Sequence, residues 1–220
     1  MIEELPPFIA FLFTLTTLYA VWLFKKAFRP NQSTWLALFA WLAIQASLAY
    51  SGFYQDTTTL PPKFALAILP PFLFVLYLVY IKKDGNHSLE NLHWIHTVRI
   101  PVEIVLWLLA SYETIPKLMT FEGRNFDIIA GFTAPLIILY GLRKTIIDSQ
   151  RVLLWNFIGL FLLANIVITA ILSAPSPFQK LAFETPNVAV LTFPFIWLPS
   201  FIVPLVLFSH LMSIKQLMKK

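Results

Sequence analysis

The stretch HWIHTVRIPVE, residues 93–103, sets two histidines, an arginine and a glutamate at the head of a strongly apolar run. On a helix turning about 100° per residue, His96, Arg99 and Glu103 fall within roughly 60° of one another, and His93 widens the stripe to roughly 120°. Imidazoles, a guanidinium and a carboxylate on one face can anchor a polar ligand group, exchange a proton or ligate a cation. His93 and His96 at i, i+3, joined by His210 or Glu103, would suit zinc. The HExxH spacing is absent and there is no cysteine to supply a thiolate, so no cofactor is expected. Zinc stays the less favoured alternative to imidazoles that are hydrogen-bonded or interfacial.

Where this stripe lies depends on where its helix begins. Pro101 cannot donate to the Thr97 carbonyl but is well tolerated in a first helical turn. One placement is a continuous helix with the stripe buried in a bundle, because a charge at the bilayer centre costs ~2.5–3.5 kcal/mol on insertion scales. The other starts the helix at Arg99 or Ile100 and leaves His93, His96 and Arg99 at the interface. An Arg99–Glu103 pair at i, i+4 is compatible with both, in the less favourable order for a helix.

Two loops carry a second set of polar groups. TFEGRNFD holds Glu122, Arg124, Asn125 and Asp127, and SPFQKLAFETPN holds Gln179, Glu184 and Asn187. Together they could cap an extracytoplasmic cavity; Asp127 also suits the N-cap of the helix that follows. Gln45 and Asn165 fall near the middle of apolar runs and are expected to face protein and hydrogen-bond between helices.

The elements that must position these groups follow from composition. Of 220 residues, 58% are hydrophobic and 12% charged, against about 25% charged in soluble domains. A helix crossing the hydrocarbon needs about 20 mostly apolar residues, and seven runs qualify, near 8–25, 34–53, 64–81, 94–118, 127–143, 152–173 and 188–212. They are continuously apolar rather than alternating, which selects helices over a barrel. The expected fold is all-α, a polytopic bundle of seven transmembrane helices in one domain, residues 1–220. MIEELPPF is acidic and lacks a small-residue cleavage site, so the first run is expected to be a retained anchor.

Basic residues orient the bundle. Lys25, Lys26, Arg29, Lys82, Lys83, Arg143, Lys144, Arg151, Lys215, Lys219 and Lys220 gather on one side, against Lys63, Lys117, Arg124 and Lys180 on the other. The positive-inside rule then puts the N-terminus outside and the C-terminus in the cytoplasm. The net charge of +5 is an orientation signal and a contact for anionic lipid, not a nucleic-acid surface. A retinal-type Schiff base is excluded because the last run has no lysine before Lys215. No glycine-rich phosphate loop is present.

Shifting the chain by 124 residues lays 43–72 on 167–196 without a gap. Seven of the thirty positions match, among them Gln55, Pro62 and Pro70 on Gln179, Pro186 and Pro194. This is compatible with parallel repeats, 8–81 and 127–212, joined by a crossing helix at 94–118. That three-one-three layout is similar in topology to SWEET-type transporters and KDEL receptors, although their Pro-Gln repeat marker is missing. The phrases VRIPVE and FEGRNFD resemble those of an uncharacterised family of bacterial seven-helix inner-membrane proteins of no assigned function. The resemblance runs from the third helix onward and implies a place in the bacterial inner membrane.

The favoured function is binding, with transport as its extension, of a small or lipid-like molecule in an intramembrane cavity. Its bordering helices would be the third, fourth and seventh. Glu103 and Arg99 would anchor the ligand, and Pro70, Pro71, Pro194, Pro199 and Pro204 would break the helices around it. The alternatives are a membrane-embedded hydrolase or metalloenzyme built on His93, His96, His210 and Glu103, and an interaction subunit without ligand chemistry. An enclosed cavity touching Glu103 discriminates between ligand binding and a pure subunit.

Overall fold

The computed structural model describes residues 5–81 and 87–219. Glu3, Glu4, Lys82, Lys83 and Lys220, which entered the reading of charge above, lie outside them. Among the described residues the secondary structure is entirely helical. The order is α1 (Pro7–Phe28), α2 (Gln32–Tyr50), α3 (Ala65–Ile81), α4 (Leu89–Ile95), α5 (Arg99–Ser111), α6 (Asp127–Leu136), α7 (Ser149–Ser173) and α8 (Val203–Leu217). Five stretches are long and apolar enough to cross a membrane: α1, α2, Leu89–Ser111, α7 and Leu198–Leu217.

Local chemistry sets the boundaries. Asn31 caps α2 by accepting from the Thr34 N–H at 2.9 Å, and Asp148 caps α7 by accepting from Arg151 N–H at 2.8 Å, each satisfying an orphan donor of the first turn. Pro7 opens α1, and Arg29 closes it in the left-handed region. The fourth run is helical from Leu89, five residues earlier than the sequence suggests, and α4 and α5 are continuous through one 3-10 turn at His96–Val98. Pro101 sits one turn later, and the tighter winding occurs where its missing N–H weakens the ladder. The stripe is therefore continuous and buried, and the placement that leaves it at an interface does not hold.

The other runs depart from uniform helices in informative ways. The third is 17 residues long and is not broken at Pro70 and Pro71. The fifth is a short α6 extended by a π-helix over Ile137–Arg143. The seventh is unwound over 192–196 after a single 3-10 turn at Ala189–Leu191, with a π-helix at Leu198–Ile202 feeding α8. Unwound backbone is tolerated at membrane depth only inside protein, and this stretch is buried from Ala189 to Thr192 and again at Phe195 and Ile196. Pro204 has no N–H for the Ser200 carbonyl, and Trp41 Nε1 supplies the donor at 2.9 Å. Trp197 Nε1 returns a bond to Leu42 O at 3.0 Å, so two indoles latch α2 to the break.

At the 124-residue offset, α2 and α7 end within a residue of each other, but Ala65 at the start of α3 falls on Ala189 in the 3-10 turn. The two segments therefore differ in winding where the loop rejoins the bundle. In Leu198–Leu217, 78% of the most apolar stretch is buried, against 17% in α2. α8 is accordingly the central helix, packed on α3, α4 and α7, while α1 packs on α4 and α5 and α5 on α6. Exposed Phe11, Leu18, Trp22, Leu36 and Phe161 give the outside an apolar surface.

Candidate functional site

His93, His96, Arg99 and Glu103 are each 2% exposed or less, and Glu103 lies ~21 Å along its helix from Leu89. Burying such groups is tolerable only when they are paired, and the pairing is supplied from α6, α7 and α8. The i, i+4 pair of Arg99 with Glu103 is not formed. Arg99 Nη1 instead meets Asp127 Oδ1 at 2.9 Å, in an ion pair whose angles fall outside hydrogen-bond geometry. Asp127 is the first residue of α6 and makes no capping bond. Its expected N-cap role is thus replaced by a cross-helix pair, because the carboxylate gains more from a buried guanidinium than from one backbone N–H.

Glycines permit the close approach. A Cβ on Gly131 would meet Ile100 Cγ1 at 2.9 Å and Arg99 Cβ at 3.3 Å, so its absence brings α6 against α5 one turn beyond Asp127. A Cβ on Gly159 of α7 would meet His210 Cε1 at 2.5 Å and Nε2 at 2.7 Å. That space lets the His210 ring lie flat against α7.

Behind Arg99 runs a directed chain of hydrogen bonds. Arg99 Nη2 donates to His210 Nε2 at 2.9 Å and to Gly159 O at 3.3 Å. His210 Nδ1 then donates to Asn156 Oδ1 at 3.1 Å, Asn156 Nδ2 to His93 Nε2 at 3.1 Å, and His93 Nδ1 to Leu89 O at 2.7 Å. A carbonyl only accepts and a guanidinium only donates, so the two ends dictate every tautomer between them, and His93 and His210 are both neutral. His96 stacks on His210 with ring centroids 3.9 Å apart, and neither of its nitrogens has a hydrogen-bond partner. The three imidazoles are brought together, but as a stack rather than around a common point. Among the described residues no group of three His, Asp or Glu side chains is arranged to hold a metal.

Ahead of Arg99 lies a cavity of about 90 Å³, room for several waters or a short chain. Its walls come from α3, α5, α7, the unwound segment and the π-helix leading into α8, and are mostly aliphatic, as with Ala67, Leu106 and Ile202. Half-buried Ile68, Val167, Ala170 and Ile171 set its open side on the apolar flank shared by α3 and α7. Only Arg99, Glu103 and Asp127 among its lining residues are ionisable, and Asn187 is the one uncharged polar group. Glu103 Oε1 accepts from Asn125 Nδ2 at 2.5 Å, whereas Oε2 has no partner. Asn187 Nδ2 donates to Ala170 O at 3.2 Å, and its Oδ1 is likewise unpartnered.

The remaining sequence candidates lie apart from the cavity. Gln45 is buried but accepts from the Tyr54 hydroxyl at 2.6 Å, a packing role. Asn165 is half-exposed and donates to Arg124 O at 2.9 Å, closing a loop rather than facing the bundle interior. Arg124 is exposed; at this contact it supplies only its carbonyl. Asn156 and Gly159 escaped the sequence reading, although a polar and a small residue at i, i+3 within the apolar run of α7 mark a helix face packed on protein. Asn125 and Asn187 were visible as loop residues, but nothing in their spacing placed them beside Glu103.

No curated protein and no solved structure matches this chain. A family model described as a domain of unknown function, DUF8737, matches residues 63–218, a span that includes Arg99, Glu103, Asp127, Asn156, Asn187 and His210, and the chain belongs to that family.

Proposed function

We propose that this is a seven-span protein of the bacterial inner membrane that binds a small, lipid-like molecule in the cavity ahead of Arg99 and passes it through the bilayer. In this reading the N-terminus is outside, the C-terminus is cytoplasmic, and α3 and the α6 to π-helix unit add two shorter spans. The Lys/Arg bias of the loops supports the orientation. The observation that carries the reading is the cavity itself. It is aliphatic along its length and polar at one end, where Arg99, Glu103, Asp127 and Asn187 each present a buried polar atom without a hydrogen-bond partner. Native interiors pair such atoms with few exceptions, so a pocket holding several is matched to a guest. The unwound segment and π-helix at its edge support movement, since broken helices are where transporters hold substrate and π-turns cluster at functional sites.

A dodecanol carrying a diazirine, photolysed with the protein in phosphatidylcholine nanodiscs, tests this. Adducts should concentrate on 163–174 and 198–206, and should vanish in Ala67→Phe, which fills the cavity from a fully buried wall position. Adducts spread evenly over the outer faces, or unchanged in an Ala67→Phe variant that keeps its unfolding midpoint, would refute binding in the cavity. Transbilayer equilibration of the same probe should be faster in vesicles containing the protein than in empty ones.

A further inference from the structure

Resting on that reading of the cavity, we infer that its ligand is an amphiphile with a protonated amine at the head of an apolar chain, received by Glu103 Oε2 and Asn187 Oδ1. The two cavity-lining atoms whose partners are missing and which belong to no ion pair, apart from Arg99 Nε, are both acceptors. An ammonium offers three N–H donors and no acceptor, the complement of that pair. Charge points the same way. One guanidinium faces two carboxyl groups, and no other ionisable side chain lines the cavity. His210 and His93 contribute no charge, since each must accept a hydrogen bond at Nε2. A ligand cation removes the surplus.

The competing head groups fit less well. An anionic head would meet Arg99 with Nη1 taken by Asp127 and Nη2 by His210 and Gly159 O, leaving only Nε against two carboxyls. A polyhydroxylated head would bury several hydroxyls among aliphatic walls that offer them nothing. An alcohol supplies one donor and no charge, which makes it the natural control.

The experiment is competition against the diazirine label in phosphatidylcholine nanodiscs, with full-length protein and dodecylamine, dodecanol and dodecanoate as competitors. Dodecylamine should displace the label at about tenfold lower concentration than dodecanol, the range of one charge-assisted hydrogen bond, with dodecanoate weakest. Glu103→Gln keeps an oxygen for Asn125 but removes the charge. It should still take the label and should lose the amine preference. Equal potency of amine and alcohol in the wild type overturns the inference with no variant needed, as does a preference that survives in Glu103→Gln. If the wild type takes no label in the cavity, the binding reading fails instead, so the two failures are distinct. Suppression of labelling by phosphatidylethanolamine in the discs assigns the amine to a lipid head group. Displacement by dodecylamine without that suppression assigns it to a free amphiphile, and either source upholds the amine.

Discussion

Replacing Gly159 by alanine should destabilise the protein, although the same change on an exposed helix face would stabilise it by about 1 kcal/mol. The new Cβ would lie 2.5 Å from His210 Cε1 and 2.7 Å from Nε2, so the ring must move. Moving it breaks the Arg99 bond at 2.9 Å and the Asn156 bond at 3.1 Å. A hydrogen bond to a charged group is worth about 1.5–3 kcal/mol, and an uncharged one inside a membrane bundle averages about 0.6 kcal/mol. After subtracting the gain in helix propensity, the net loss is about 1–3 kcal/mol, or roughly 2–10 °C in unfolding midpoint for a chain of this size. The assay is tryptophan-monitored thermal unfolding in detergent, run as a double-mutant cycle with His210→Ala. Without the ring there is nothing to displace, and Gly159→Ala should then be neutral or stabilising. A midpoint raised by Gly159→Ala alone, or an equal loss in both backgrounds, would refute the assignment of Gly159 as the seat of the His210 ring.

Arg99→Met leaves Asp127 buried without its cation and should cost about 3–5 kcal/mol; the double change Arg99→Met with Asp127→Asn should recover most of it in the same unfolding assay. Trp41→Phe removes the donor to the carbonyl that Pro204 leaves open and should lower stability by about 0.5–2 kcal/mol, whereas Trp22→Phe on the exposed face of α1 should change little. Asp56, in the loop after α2, is held down from 3.8 to about 2, first by its side-chain bond to Lys63 and then by bonds from Thr58. Because its folded value is the lower one, its stabilising contribution is present above pH of about 4 and fades as pH falls through about 2. Solvent exposure keeps that contribution small; Lys63→Met should return the Asp56 titration, followed by NMR, toward 3.8. Chelators should leave the unfolding midpoint unchanged, since both nitrogens of His93 and of His210 are engaged in hydrogen bonds; a lowered midpoint would revive a metal at the imidazole stack.

Much of the architecture was legible before any coordinates, because the bilayer imposes it. Continuous apolar runs can satisfy their backbone only as helices, so the all-helical class follows from composition and run length, and the inward turn of the ionisable stripe follows from the cost of charge in hydrocarbon. Family membership was legible too, in the phrases VRIPVE and FEGRNFD. The finer winding was not. Hydropathy reads 188–212 as one more helix, yet it is unwound as far as residue 196, since apolarity reports burial and says nothing of which carbonyls the prolines leave open.

What only the tertiary structure decided is partnership. Sequence spacing proposed Glu103 for Arg99, four residues away on its own helix, but the guanidinium pairs with Asp127 from α6 and with His210 from α8. Those partners arrive because Gly131 and Gly159 let the neighbouring helices close to distances that a Cβ would forbid. Local periodicity determines which way a side chain turns. Which group it meets is determined by how closely the backbones around it can pack.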